Sequence, residues 1–218
     1  MKLYFSPSTQ EKNSCRVGDS EEQHMNSIAN LMEPLLKHNG FDYVRNTPDM
    51  THISSKDASN QGTYDLHYAL HSNAFSGKET YCVIYYVSLK GKRYAEILAK
   101  HYRKIYPWTV KVEKAARKYT ELYKTKAPSV IDEISFHDNP VTAQWIHDNM
   151  ERIAKNKVQA LCECFGIEYS EPMNYGQALD ILSNKVGIDK AYWLTRGNID
   201  PYFDELMIKI AKYLKKGE

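Results

Sequence analysis

The fold of this chain is decided by the stretch Tyr64-Asp65-Leu66-His67-Tyr68-Ala69-Leu70-His71-Ser72-Asn73-Ala74. Mostly apolar residues run up to His71, and small polar residues follow it. This pattern predicts a strand that is buried on both faces and ends at the histidine. In open α/β sheets, ligands bind just beyond the carboxyl ends of the strands. His71 is therefore either placed for binding or catalysis, or it caps the strand with a hydrogen bond.

Apolar runs of strand length alternate with helical patterns before and after this stretch. The predicted strands cover residues 3–5, 41–45, 64–71, 80–87 and 129–136. The predicted helices cover residues 20–39, 54–60, 92–105 and 142–165. Residues 109–126 are ambiguous, and we expect them to be largely loop with a short helix. The alternation predicts an α/β fold with a mostly parallel sheet and helices on both faces.

The pattern changes near residue 170, which divides the chain into a domain of residues 1–169 and a helical appendage of residues 170–218. Apolar residues after Tyr175 recur at helical spacing, and no strand is needed to explain them. This predicts two or three helices. The pair Tyr192-Trp193 either forms part of their core or is free to stack on a sugar ring.

Composition excludes some classes of function. The 29 basic and 27 acidic side chains give a formal charge of +2, which is too balanced to argue for nucleic acid. No apolar run approaches the length of a membrane span, and the first residues lack the apolar core of a signal peptide. The four cysteines have no zinc-finger spacing, so we expect reduced thiols.

Three residues fall at one predicted edge of the sheet. Glu21 begins the first long helix, His71 ends the central strand, and Glu133 lies near the end of the last strand. A histidine with two carboxylates is a mixed set of the kind that catalytic zinc prefers. Glu21 alone would also suit the helix dipole, whereas Glu133 is costly to bury in an apolar strand without a role. His67 lies about 13 Å back along the strand, and we expect a hydrogen-bonded core histidine.

Three segments then resemble one known family. The segment Leu70-His71-Ser72-Asn73-Ala74, the segment from Asp132 to Asn139, and Glu21 followed by Met25-Asn26 resemble the motifs of zinc-dependent N-acetylmuramoyl-L-alanine amidases of the amidase-3 family, which are bacterial and phage cell-wall hydrolases. The resemblance covers residues 3 to 168. It implies a twisted, mostly parallel sheet and hydrolysis of the amide between N-acetylmuramic acid and L-alanine in peptidoglycan. By the resemblance, His71 and Glu21 would bind zinc, and Glu133 would be the catalytic base.

One departure from the family concerns its first zinc ligand. The family's first strand normally ends in a Pro-Gly-His-Gly turn, whereas this chain has Pro7-Ser8-Thr9-Gln10. Thr9 therefore stands where the histidine is expected. We expect His137 to complete the metal set, with Glu11 and Glu22 as weaker candidates.

Three functions remain open at this point. The chain could be a zinc amidase that acts on peptidoglycan, a metal-free module that binds wall peptides or a protein partner, or a hydrolase of another amide. The appendage could dock on the catalytic domain, bind the wall or mediate dimerisation, and the sequence leaves the oligomeric state open. Without a visible signal peptide, we expect either a phage lysin or a secreted autolysin lacking its leader, made in the cytoplasm and acting on the cell wall.

Overall fold

The structure, a computed structural model, describes residues 1–195 and 201–216 and separates the chain into two units. The first unit is Met1–Ser170 and the second is Glu171–Glu218. None of the described helices combines the length and the apolar character needed to cross a bilayer.

A six-stranded sheet organises the first unit. Its strands are β1 Lys2–Pro7, β2 Asp42–Arg45, β3 Leu66–Asn73, β4 Cys82–Tyr86, β5 Val110–Lys114 and β6 Ser129–Phe136. They lie in the order β2-β1-β3-β6-β4-β5, and every neighbouring pair is parallel except β4 with β6. The predicted α/β class and mostly parallel sheet are confirmed.

Helices cover both faces of this sheet, but unequally. They are α1 Glu21–His38, α2 His52–Gln61, α3 Leu89–Tyr102, α4 Thr120–Tyr123, α5 Pro140–Asp148 and α6 Met150–Phe165. The long helices α1, α3 and α6 share the main apolar core with one face. The short helices α2 and α4 lie over the other face, where the apolar cluster around Ala69 and Ile131 is smaller. The thinly covered face is the one that carries the polar cluster described below.

Two sequence predictions about individual elements were wrong. The stretch 109–126 contains strand β5 as well as a short helix, and Val110 pairs with Cys82 of β4. Charged residues interrupt the apolar residues of this strand, so its sequence lacks a clear apolar run. Edge strands commonly carry charged side chains. The predicted helix 142–165 is two helices, interrupted at Asn149, whose side-chain amide donates to the carbonyl of Trp145 at 2.9 Å.

The second unit consists of helices in its described part. They are α7 Tyr175–Val186, α8 Lys190–Leu194 and α9 Pro201–Lys216. Its buried core is built from small and aliphatic side chains of α7 and α9, with Trp193 packed against it and stacked on Phe203 at 5.1 Å between ring centroids. Tyr192 is exposed. Trp193 therefore takes the core role that was one of its two interpretations.

Candidate active site

Strand register brings His71 and Glu133 together. The two residues are direct partners across the parallel pair β3–β6, so their side chains leave the same face of the sheet. Both line a cleft of about 340 Å³, together with Gln10 and Glu121. The cleft lies at the carboxyl end of the central strands, as the sequence predicted.

The first turn of α1 delivers Glu21 to the same place. Ser20 caps this helix by accepting a hydrogen bond from the backbone N–H of Gln23 at 3.2 Å, which fixes where the helix starts. The Glu21 carboxylate is buried, and its Oε1 lies 2.8 Å from Nδ1 of His71. Its Oε2 accepts from the Asn13 side-chain amide at 2.7 Å. A buried carboxylate needs such partners, and here the partners also aim it at His71.

Glu121 belongs to this cluster, and the sequence analysis missed it. Its Oε2 lies 3.5 Å from Nε2 of His71, and its Oε1 lies 3.1 Å from Nε2 of His67. The hydroxyl of Ser6 also donates to Oε1 at 2.6 Å. His67 is thus a hydrogen-bonded core histidine, as expected, with its Nδ1 at 2.9 Å from the hydroxyl of Ser59. Glu121 gave no signal because it lies in a four-residue helix within the ambiguous stretch.

These contacts set the charges of the cluster. Burial lowers the pKa of His71, but the hydrogen bonds with Glu121 and Glu21 outweigh burial and raise it well above the ordinary histidine value. Burial raises the pKa of Glu21, and the hydrogen bond and charge of His71 reverse this, so the pKa of Glu21 is lowered. The pKa of Glu121 is lowered in the same way, against burial, by its bonds with His67 and His71. Without a metal, His71 is an imidazolium held between two carboxylates.

Glu133 differs from these two carboxylates. Its Oε2 is buried and has no hydrogen-bond partner among the described residues. Burial is the largest cause that raises its pKa, to about 8, while the charge of His71 opposes the rise and that of Glu21 adds to it. A carboxyl group with this pKa exchanges a proton near neutral pH, which is the property of a general acid–base catalyst.

His137 is buried beside the cluster and contacts Ser72. Its Nδ1 lies 2.9 Å from the Ser72 hydroxyl, and the backbone N–H of Ser72 points to Glu21 Oε1 at 3.4 Å. Its assignment as a metal ligand stays a prediction. Glu11 accepts from the hydroxyl of Ser20 at 3.3 Å, at the cap of α1.

The donors at this site fit a metal only in part. Within residues 1–195 and 201–216, no three His, Cys, Asp or Glu side chains are arranged to hold a metal ion. Glu21 and His71 Nδ1 supply two donors of the types that zinc prefers. The amide nitrogen Nε2 of Gln10 lies 3.4 Å from the same Nδ1, so the Gln10 side chain, whose amide oxygen could bind a metal, is a further neighbour on this side. With the unpaired oxygen of Glu133 next to this group, the residues fit a catalytic metal if Gln10 is included.

Comparisons with solved structures identify proteins with a similar fold. Similar solved structures include N-acetylmuramoyl-L-alanine amidase AmiC2 of Nostoc punctiforme, with a TM-score of 0.68 and 12% identity over 76% of this chain and 97% of that chain. The catalytic domain of the amidase CwlV from Bacillus (Paenibacillus) polymyxa gives a TM-score of 0.66 and 16% identity over 77% and 99%. The catalytic domain of the CD27L endolysin targeting Clostridia difficile gives 0.61 and 22% over 75% and 97%.

These three structures share the fold of this chain. Comparison with curated protein sequences gives no match. The family model described as N-acetylmuramoyl-L-alanine amidase, Amidase_3, matches residues 8–163, which contain Glu21, His71 and Glu133. By this match, the chain belongs to the N-acetylmuramoyl-L-alanine amidase family.

Proposed function

We propose that this chain hydrolyses the amide between N-acetylmuramic acid and L-alanine of peptidoglycan, with zinc as its cofactor. The observation that carries the proposal is Glu133, whose buried and unpaired carboxylate oxygen lies in register with His71 in an open cleft. Membership of the amidase family supports the substrate.

Three residues of the cluster have roles in this reaction. Glu21 and His71 would hold the metal. The metal, when bound, supplies Lewis-acid polarisation of the scissile carbonyl and a lower pKa for water. Glu133 takes a proton from the attacking water as the oxygen of that water bonds to the lactyl carbonyl carbon. Glu133 then gives the proton to the nitrogen as the C–N bond breaks, which leaves a carboxyl group and the free amine of L-alanine.

The surroundings of the cleft support a large substrate. A second cleft of about 260 Å³ is lined by several aromatic residues, among them Tyr81, Tyr85 and Phe136. Tyr119 lines both clefts. Tyrosine offers an apolar ring face and a hydroxyl, which suits contact with sugars and peptides.

Digestion of purified cell walls tests the proposal. We expect the chain to release stem peptides with new L-alanine amino termini and no new reducing sugar ends, and a chelator to stop the release. Addition of zinc should restore it. Cosedimentation with the walls without release would instead favour the metal-free binding module. Release of amino groups from another position in the stem peptide would favour a hydrolase of a different amide.

A further inference from the structure

We infer that the side-chain amide of Gln10 supplies the third protein ligand of the metal, beside Glu21 and His71. The inference rests on the proposed function, because it identifies how this chain completes the site without the family's first histidine. It also moves the position that replaces the family's first histidine from Thr9 to Gln10. The structure brings Gln10, one residue after Thr9, against His71.

The two nitrogens of His71 identify the side on which a metal would sit. Glu21 Oε1 and the Gln10 amide both approach Nδ1, at 2.8 Å and 3.4 Å. Glu121 approaches the opposite nitrogen, Nε2, at 3.5 Å. A histidine that binds a metal through one nitrogen usually donates its other N–H to a carboxylate, which fixes the ring. Glu121 has the position of that carboxylate, so the metal side is Nδ1.

Gln10 is held on this side by the main chain around it. The backbone N–H of Ser8 donates to the carbonyl of Leu70 at 3.0 Å, which ties the turn after β1 to the strand that carries His71. The Asn13 side-chain amide donates both to Gln10 Oε1 at 2.9 Å and to Glu21 Oε2 at 2.7 Å. Ligand atoms of tetrahedral zinc, at bond lengths of 2.0–2.1 Å, lie about 3.3 Å apart. The gap between the Gln10 amide and His71 Nδ1 already matches this spacing.

One rotation brings the amide oxygen to the metal side. Nε2 of Gln10 is the atom nearer to His71, and turning the amide by half a circle exchanges it with Oε1. The turn gives up the bond from Asn13 to Gln10, while the bond from Asn13 to Glu21 remains. Gln10 is exposed at the edge of the cleft, where water can replace the bond from Asn13 that the rotation breaks.

The other candidates have different positions. Glu121 lies on the Nε2 side of the ring. The imidazole of His137 is engaged by the Ser72 hydroxyl at 2.9 Å. Gln10 is the neighbour that shares the Nδ1 side with Glu21.

Zinc affinity of the full chain, measured by competition with a chromophoric chelator, tests the inference. Loss of a group that only supports a metal ligand costs about 10–100-fold in metal affinity. Gln10 is proposed as a direct ligand, so Gln10→Ala should weaken zinc binding by at least about tenfold. Gln10→His should tighten it by about tenfold, because imidazole nitrogen is a better zinc ligand than an amide oxygen. The matched variant Thr9→His should leave the affinity unchanged.

Nitrogen NMR of His71 gives a second measurement that does not depend on catalysis. Zinc should shift the resonance of Nδ1 and leave Nε2 protonated. A wild-type affinity that Gln10→Ala leaves unchanged, or a gain from Thr9→His instead of Gln10→His, would overturn the Gln10 assignment while wall digestion still supports the amidase. Loss of zinc in His137→Ala but not in Gln10→Ala would transfer the assignment to His137. A wild-type chain that neither binds zinc nor releases peptides would overturn both proposals.

Discussion

Asp132 and Glu133 are adjacent acids in β6, and they meet opposite environments. Asp132 faces the helix-covered core, where its Oδ2 lies 2.7 Å from Nζ of the buried Lys157 and accepts from the hydroxyl of Tyr68 at 2.9 Å. Glu133 faces the cleft, and its Oε2 has no partner among the described residues. Asp132 Oδ1 also has no partner among the described residues, but Oδ2 makes the ion pair. The strand therefore carries a carboxylate with a counter-ion on one face, and on the other a carboxylate whose Oε2 has no partner within the described part of the chain. Partner and face, rather than residue type, separate the structural acid Asp132 from Glu133, the acid that we propose as catalytic.

The largest effect is expected from Glu133→Gln, which keeps the shape of the side chain and removes its ability to take a proton. Loss of a general acid–base group costs about 10²–10⁴-fold in rate. We expect peptide release from walls to fall by that factor while circular dichroism and zinc affinity stay near wild type. Retained activity would show that Glu133 has no catalytic role.

On the core face of the strand, Asp132→Asn should lower the free energy of unfolding rather than the catalytic rate. The change leaves the charge of Lys157 buried without its counter-ion, and breaking a buried pair costs about 3–5 kcal/mol. Urea unfolding of the full chain, followed by fluorescence, measures this loss. Activity per folded molecule should change far less than in Glu133→Gln, because the charge of Asp132 is a smaller cause of the raised pKa of Glu133 than burial.

The double variant Asp132→Leu/Lys157→Met is the control for that prediction. Replacing both partners of a buried ion pair by apolar residues is often neutral or stabilising. Most of the stability lost in Asp132→Asn should therefore return. A double variant as unstable as the single one would mean that Asp132 matters for packing rather than for its charge pair.

The pH dependence of stability tests the environment of Glu133. The pKa of Glu133 in the folded protein is about 8, above its ordinary value, so the folded state keeps a proton that the unfolded state loses from about pH 4.5 upwards. The contribution of Glu133 to stability therefore falls as the pH rises from about 4.5 to about 8.

Glu133→Gln removes this dependence, so the melting temperatures of the variant and the wild type should separate progressively as the pH rises through this window. In chelator, we expect the variant to melt higher by several degrees at about pH 9 and by little at about pH 5, given about 2–4 °C for each kcal/mol in a chain of this size. Equal melting temperatures at the higher pH would show that Glu133 is solvated in the folded chain.

The sequence predicted the residues around Glu133 better than the partner of Asp132. Glu21, His71 and Glu133 follow from strand ends and a helix start, because parallel topology brings those positions to one edge. The partner of Asp132 did not follow, because Lys157 lies one helix away and only three-dimensional packing joins them. Gln10 and Glu121 were missed as members of the site for the same reason.

Their local sequence gave no pattern that could have found them. Gln10 lies in a turn, and Glu121 lies in a helix too short to show periodicity. The edge strand β5 was missed because three of its five residues are charged. Sequence patterns thus located the edge of the sheet that carries the candidate site, while the residues around its histidine depend on contacts between distant segments.

The smallest effect is expected at Ser59, which lies in the buried core on the same face of the sheet as Glu133. Ser59 is buried, and its hydroxyl holds Nδ1 of His67, whose other nitrogen contacts Glu121. Ser59→Ala removes one hydrogen bond and should cost about 1 kcal/mol of unfolding free energy, measured by urea. Zinc affinity should change less than twofold, because His71 keeps its own contacts with Glu21 and Glu121. A loss of zinc affinity as large as that expected for Gln10→Ala would show that the hydrogen-bonded series Ser59, His67 and Glu121 orients His71.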